Sequence, residues 1–341
     1  MMTLFGDPAV WLPTAFAGLM GLSILIYVVL DGFDLGVGVL FPLADDAGQE
    51  RMIGSIGPFW DANETWLVMA IGLLLVAFPA AHGAILTAFY LPVFVMLVGL
   101  ILRGVAFEFR AKAPVAHRAA WNRAFFAGSL MATLAQGFML GLWALGLQMT
   151  PWALAFATLT ALCLTAAYAF IGATWLVMKC GEGLQRRAFG WARAGLVGAA
   201  IGLAAVSVAT PLASPEIAAR WFSFPEALLL APLPLSAAVV LAGLWFALGA
   251  LPEMGARTLA RFDWAPFAGA VALFALGFAG FAYSFFPWVV PGRLTIFDAA
   301  SAPESLLVIL VGACVVLPVI VAYSALAFTV FRGKAADLRY D

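Results

Sequence analysis

Long apolar segments return along the whole chain, and they leave few folds open to it. Uncharged or nearly uncharged runs of about 18 residues or more recur from the first tens of residues to the last, each long enough to cross a hydrocarbon core of roughly 30 Å as an α-helix. Lipid offers backbone groups no hydrogen-bond partners, so a spanning chain must be helical or close into a barrel. A barrel needs alternating segments of roughly ten residues, and the sequence has none. The pattern predicts an all-α, polytopic membrane protein. Composition agrees: of 341 residues only 10% are charged and 65% are hydrophobic, whereas a soluble chain carries about 25% charged residues.

Hydropathy and helix breakers predict nine spans, at 9–42, 57–78, 85–109, 119–147, 152–178, 191–210, 227–250, 265–289 and 303–331. Pro79, Pro151, Pro211 and Pro252 mark helix ends or starts. The first span is long enough to tilt or to continue past the interface. No linker separates soluble domains, so residues 1–341 read as a single transmembrane domain, for which two four-helix bundles and a peripheral ninth helix are one arrangement. The start of the chain lacks a short charged-then-apolar stretch with a cleavage site, so the first helix is expected to be retained.

Basic residues set the orientation. Arg110, Lys112, Arg118 and Arg123 flank the third connection, and Lys179, Arg186, Arg187 and Arg193 the fifth. Arg257 and Arg261 lie in the seventh, and Arg332, Lys334 and Arg339 follow the last helix. Connections of the other parity hold Arg220 and Arg293. The positive-inside tendency then puts the N-terminus outside and the C-terminus in the cytoplasm. The first connection, Ala44 to Ser55, fits least well, because Arg51 is outnumbered by Asp45, Asp46 and Glu50. The stretch from Pro291 to Pro303, with Arg293 and Asp298, reads as a solvated loop.

Several functions are disfavoured at once. With a net charge of −1 and no basic block, nucleic acid is not an expected partner. The two histidines, His82 and His117, fall in predicted loops, which leaves no membrane-embedded imidazole to ligate a haem or metal. Cys163, Cys180 and Cys314 show no paired spacing, and a cysteine in an apolar segment is ordinarily a small buried hydrophobe.

Against this background four carboxyls stand out: Asp31 with Asp34 in the first span, and Asp61 with Glu64 in the second. A charge at bilayer depth costs at least about 2.5 kcal/mol. The first helix runs inward, the second outward and the third inward again. Asp31 and Asp34, Asp61 and Glu64, and then Arg103 and Glu108 therefore come to one level near the cytoplasmic face. Each acidic pair is spaced i,i+3 and shares a helix face. Glu108, close to a helix end, reads as an interfacial residue. For Arg103 a structural ion pair and a functional role are both open. Asp31 and Asp61 are too short to reach water from depth and sit among glycine and aromatic neighbours, so they read as proton carriers. The bland alternative is that the acids only fix helix packing. Gly32, Gly36 and Gly38 read as residues for close helix contact.

The same stretches resemble a known family. LDGFDLGVG at 30–38, GPFWDANETWL at 57–67 and RGVAFEFR at 103–110 are similar to the second subunit of cytochrome bd-type quinol oxidases, and GATW at 172–175, FPWVVP at 286–291 and LTIFDAAS at 294–301 extend the likeness from the first helix to the last. The resemblance implies a bacterial or archaeal source, and a respiratory oxidase subunit in the cytoplasmic membrane that binds no cofactor alone. Its partner would be a larger subunit I carrying haem b and haem d, which oxidises quinol and reduces dioxygen; lipids and a small single-helix accessory subunit belong to the same picture. It further implies that Asp31 and Asp61 lie on a cytoplasmic proton path with Asp34 and Glu64 beside them. Trp60, Asn63, Arg103 and Glu108 would line or brace that path, and Trp66 would lie near the oxygen route. The 211–226 connection is short beside that of some relatives, which bears on any lipid or quinone contact there. From a different class, a stand-alone proton-coupled transporter predicts discontinuous helices with polar groups at the bilayer midplane.

Overall fold

The computed structural model describes residues 6–335, so Arg339 lies outside the described residues. Thirteen α-helices follow in order: α1 Pro8–Leu40, α2 Asp46–Ile56, α3 Trp60–Ala77, α4 Pro79–Lys112, α5 Val115–Ala144, α6 Pro151–Lys179, α7 Glu182–Ala213, α8 Pro215–Phe222, α9 Glu226–Leu230, α10 Pro232–Ala250, α11 Ala256–Phe262, α12 Ala265–Phe285 and α13 Pro303–Val330. Joining α9 to α10 and α11 to α12 gives nine segments among the described residues that are long and apolar enough to cross a membrane. They correspond one for one to the nine predicted spans. α4 and α7 begin earlier than expected, because Pro79 starts a helix one residue after α3 ends and the polar stretch 182–190 continues the helical run.

α1 is the central element. Asp7 caps it by accepting a hydrogen bond from Ala9 N at 2.9 Å, with Pro8 at the first helical position. Its 33 residues rise about 50 Å, past both edges of a hydrocarbon core. In its most apolar window 67% of residues are buried within the chain, against 6% for α13. It packs on α3, α5, α6 and α12, while α13 lies on the outside against α1 and α3.

Glycine makes the central crossing possible. A Cβ on Gly36 would come 1.7 Å from the Tyr168 carbonyl oxygen, and one on Gly172 would come 2.6 Å from the Gly36 carbonyl carbon. The backbones of α1 and α6 are thus in contact, and dispersion between close-packed helices replaces the hydrophobic drive that lipid cannot supply.

Two connections differ from expectation. The first holds a surface helix, α2, where a plain connection was predicted. Gln49 donates to the carbonyls of Phe41 and Ala44 and accepts from Asn122 at 2.6 Å. Glu50 pairs with Arg110 at 2.9 Å and with Arg118 at 3.4 Å, and Asp45 with Arg187 at 2.8 Å. Two of the three acids that disturbed the charge count, Asp45 and Glu50, are counterions to the basic third and fifth connections, which places the first connection at the same end of the bundle. The Pro291–Pro303 stretch is likewise more than a solvated loop. β1 Trp288–Val290 pairs antiparallel with β2 Leu294–Thr295, and Val290, Ile296 and Ala299 are buried. Trp143 donates to Val289 O at 2.8 Å, and Ser301 to Ala77 O at 2.9 Å and Val76 O at 2.7 Å. This ribbon closes the end of the bundle where α3 and α5 finish.

At the opposite end two lysines exchange helix caps. Lys179 donates to Phe331 O and Gly333 O after α13, and Lys334 donates to Met178 O in the last turn of α6 and to Asp263 at 2.5 Å. Burial pushes the neighbouring Cys180 thiol up to about 12, as suits a packed hydrophobe.

Candidate functional site

Three helices build the site. The Gly36 contact draws the second half of α1 deep into the bundle, so Asp31 and Asp34 have 0% relative exposure. α3 starts after the Gly57-Pro58 break, which puts Asp61, Asn63 and Glu64 in its first two turns. α4 brings Arg103 in from the other side, with 1% exposure.

Arg103 is the hub. One guanidinium nitrogen donates to Asp31 Oδ1 at 2.7 Å, and the other lies 3.1 Å from Glu64 Oε1, an ion pair outside hydrogen-bond geometry. Asn63 donates to Asp34 Oδ2 at 2.7 Å and to Leu30 O at 3.4 Å. Asp31 Oδ2 and Asp34 Oδ1 are buried with no hydrogen-bond partner in the chain. Three carboxyls thus gather near one cation, and at least two of their oxygens are unspoken for. A cluster of this kind is costly unless its charge is balanced.

The expected residues fall into two groups. Asp31, Asp34, Asn63, Glu64 and Arg103 come together. Asp61 does not join them: it is exposed. Glu64 is half-buried, one helical turn after Asp61, and pairs with Arg103. Trp60 packs on Phe107, ring centroids 5.2 Å apart, and against Gly104. Trp66 is buried with its indole N–H unpartnered. Glu108 is half-buried on α4 and takes part in no ion pair among the described residues.

Sequence reasoning passed over a second polar group behind Asp31. Tyr27 lies one helical turn before Asp31 on the same face of α1. Gln136 of α5 donates to the Tyr27 hydroxyl at 2.7 Å and accepts from Tyr168 of α6 at 2.9 Å. The signal was present: Gln136 is a lone amide within an apolar stretch, and Tyr27 has i,i+4 spacing to Asp31.

His82 and His117 stand in the first turns of α4 and α5, and no three His, Cys, Asp or Glu side chains among the described residues gather to hold a metal ion.

The profile of the family described as cytochrome bd terminal oxidase subunit II matches residues 12–331. Among curated proteins the chain is similar to cytochrome bd ubiquinol oxidase subunit 2 of Bacillus subtilis, 39% identical over 116 residues, 33% of this chain and 34% of that one. It is also similar to cytochrome bd-I ubiquinol oxidase subunit 2 of Escherichia coli, 36% identical over 126 residues, 36% of this chain and 33% of that one. The probable cytochrome oxidase subunit 2 of Haemophilus influenzae matches at 32% over 196 residues, 52% of this chain and 50% of that one. The matched stretches thus span a third to a half of these relatives. The solved structure of bd oxidase from Geobacillus thermodenitrificans superposes with a TM-score of 0.77 at 16% identity, covering 94% of this chain and 98% of that one. At that identity the likeness speaks to fold alone.

Proposed function

The chain belongs to the cytochrome bd terminal oxidase subunit II family, and from that premise we propose that it is the haem-free subunit of an oxygen-reducing quinol oxidase in the bacterial cytoplasmic membrane. Its partner is then a haem-bearing subunit I, and lipids, quinol, dioxygen and a small single-helix accessory subunit complete its surroundings. The N-terminus faces out and the basic connections and C-terminus face the cytoplasm. Haem b and haem d, bound in the partner, supply the electron transfer from quinol to dioxygen. This chain stabilises the partner and moves protons.

The proton path begins at exposed Asp61, continues through half-buried Glu64, and reaches Asp31 and Asp34 around Arg103. The pairing of Asp31 and Glu64 with one buried guanidinium, with buried Asp34 a turn away on α1, carries this reading. A single guanidinium balances one carboxylate; bound protons balance the others, and a cluster that exchanges them can pass protons along. Arg103 holds the two helices' acids in register, and Asn63 orients Asp34. Trp60 walls the entrance with Phe107, and Glu108 lies at the cytoplasmic rim. Trp66, buried in apolar surroundings, lines the oxygen route. Family membership does not favour a stand-alone transporter.

Co-expression with the partner is expected to give haem absorption that the chain purified alone lacks; stoichiometric haem in the isolated chain would contradict the assignment. Asp61→Asn is expected to slow turnover of the assembled oxidase about tenfold or more with haem content unchanged. Normal turnover in that variant removes Asp61 from the path.

A further inference from the structure

Helix α3 carries Asp61, Asn63 and Glu64 in its first two turns, yet no side chain caps its N-terminus. A first turn without a cap frays readily, because its amides lack partners. The residue at the cap position is Phe59. Its carbonyl accepts from Asn63 N at 2.9 Å, and its own amide donates to Ile56 O at 2.9 Å. Whatever fixes Phe59 therefore fixes the turn that aims Asn63 and Glu64. Phe59 is 1% exposed. Phe328 of α13 stacks on its ring with centroids 4.6 Å apart, and Trp175 of α6 and Phe331 stand edge-on to it at 5.6 and 6.0 Å. The Lys179 ammonium lies 5.3 Å from the same ring centroid.

Helix α1 enters the same cluster. Phe33, between Asp31 and Asp34 in sequence, stacks on Trp175 at 4.0 Å and meets Phe328 edge-on at 6.4 Å. Stacked and edge-on contacts hold rings in defined orientations. The two acid-bearing helices thus each commit one ring to Trp175 and Phe328, which ties the rotation of α3 to that of α1. That rotation decides whether Asn63 reaches Asp34 at 2.7 Å and Glu64 reaches Arg103 at 3.1 Å. Part of the cluster comes from α13, which otherwise lies on the outside of the bundle. The two lysines secure it there: Lys179 donates to Phe331 O and Gly333 O, and Lys334 donates to Met178 O. Lys179 also lies 5.2 Å from the Trp175 ring centroid, and attraction between an ammonium and ring faces is strongest where water is excluded. The end of α13 cannot leave α6 without uncovering Phe59.

We propose that Phe59, clamped by Lys179 and the end of α13, is the positioning residue for Asn63 and Glu64, setting the roll of α3 that turns Glu64 inward and leaves Asp61 outside. Its consequence for turnover rests on the reading of these residues as the proton path. The test uses the assembled oxidase, comparing wild type with Phe59→Leu, Phe328→Leu and Lys179→Met, each checked for haem content. Hydrogen exchange of the amides at 63–66 is followed together with steady-state turnover. Each variant is expected to speed that exchange about tenfold while exchange of α4 around Arg103 stays as in wild type. kcat is expected to fall about tenfold with the KM for quinol unchanged. Phe328→Leu leaves the sequence of α3 intact, so it decides the matter if Phe59→Leu fails to assemble. Unchanged exchange at 63–66 in Phe328→Leu and Lys179→Met overturns the proposal. So does a rise that spreads equally over α4, which marks general loosening rather than positioning. Where exchange at 63–66 rises but kcat holds, Asp61→Asn separates the two readings. Normal turnover in Asp61→Asn fells the path and leaves the positioning; slowed turnover there overturns the positioning.

Discussion

Arg103 and Arg110 lie two turns apart on one face of α4, both nearly inaccessible, and they live in different worlds. Arg103 meets Asp31 and Glu64, carboxyls of two membrane-spanning helices. Arg110 grips Glu50 through two nitrogens, at 2.9 and 3.0 Å, but Glu50 belongs to the surface helix α2 and its side chain is 52% exposed. The chemistry is the same, guanidinium with carboxylate. What differs is the alternative open to each acid when the arginine is lost. Glu50 can turn to water, and Asp31 cannot.

The largest effect should come from Arg103→Met. It strands Asp31 among helices, and breaking a buried pair by removing one partner costs about 3–5 kcal/mol. The thermal midpoint and yield of the assembled complex are expected to fall sharply, while Arg110→Met costs far less. Equal losses at the two positions would break the contrast.

Gly36→Ala separates the regions in another way. The added methyl has nowhere to go between α1 and the Tyr168 carbonyl, so α1 must shift and take Asp31 and Asp34 with it, while Arg110 and Glu50 stay where they are. Overpacking of this kind costs about 1–3 kcal/mol or more. A lowered melting midpoint with impaired turnover is expected; a variant as stable as wild type would mean that the central crossing is not tight.

The two regions also differ in how far the sequence disclosed them. Apolar runs and prolines located every spanning helix, because lipid permits only one local solution for each run. The acids of α1 and α3 and Arg103 were visible for the same reason: charge is rare at depth. Which acid faces inward was not visible. The i,i+3 spacing of Asp61 and Glu64 gave them one face, yet Asp61 is exposed and Glu64 half-buried, because packing against Arg103 depends on how α3 rolls over α1. Helix α2 escaped notice since its charges resembled a polar connection; only their partners on α4, α5 and α7 make it a clamp. The ribbon at 288–295 was hidden because its anchors, such as Trp143 and Ser301, are tertiary contacts between distant segments.

The clamp gives the mildest test, and its sign follows from the titration. The hydrogen bonds from Arg110 hold the Glu50 carboxyl below its usual range, and those from Arg187 and the Gly48 amide do the same for Asp45. A carboxyl lowered in the folded state adds stability above its unfolded value, about 4.3 for Glu and about 3.9 for Asp, and loses it as pH falls through the folded value. Melting of the complex should therefore soften as pH drops below about 4, and Glu50→Gln should remove part of that slope while lowering the midpoint only slightly at neutral pH. Because Glu50 is half in water, its pair is worth about 0–1 kcal/mol, and added salt should shrink the difference between variant and wild type. A salt-insensitive loss as large as that of Arg103→Met would show that the edge of the bundle is as dry as its interior, and the contrast between the two arginines would dissolve.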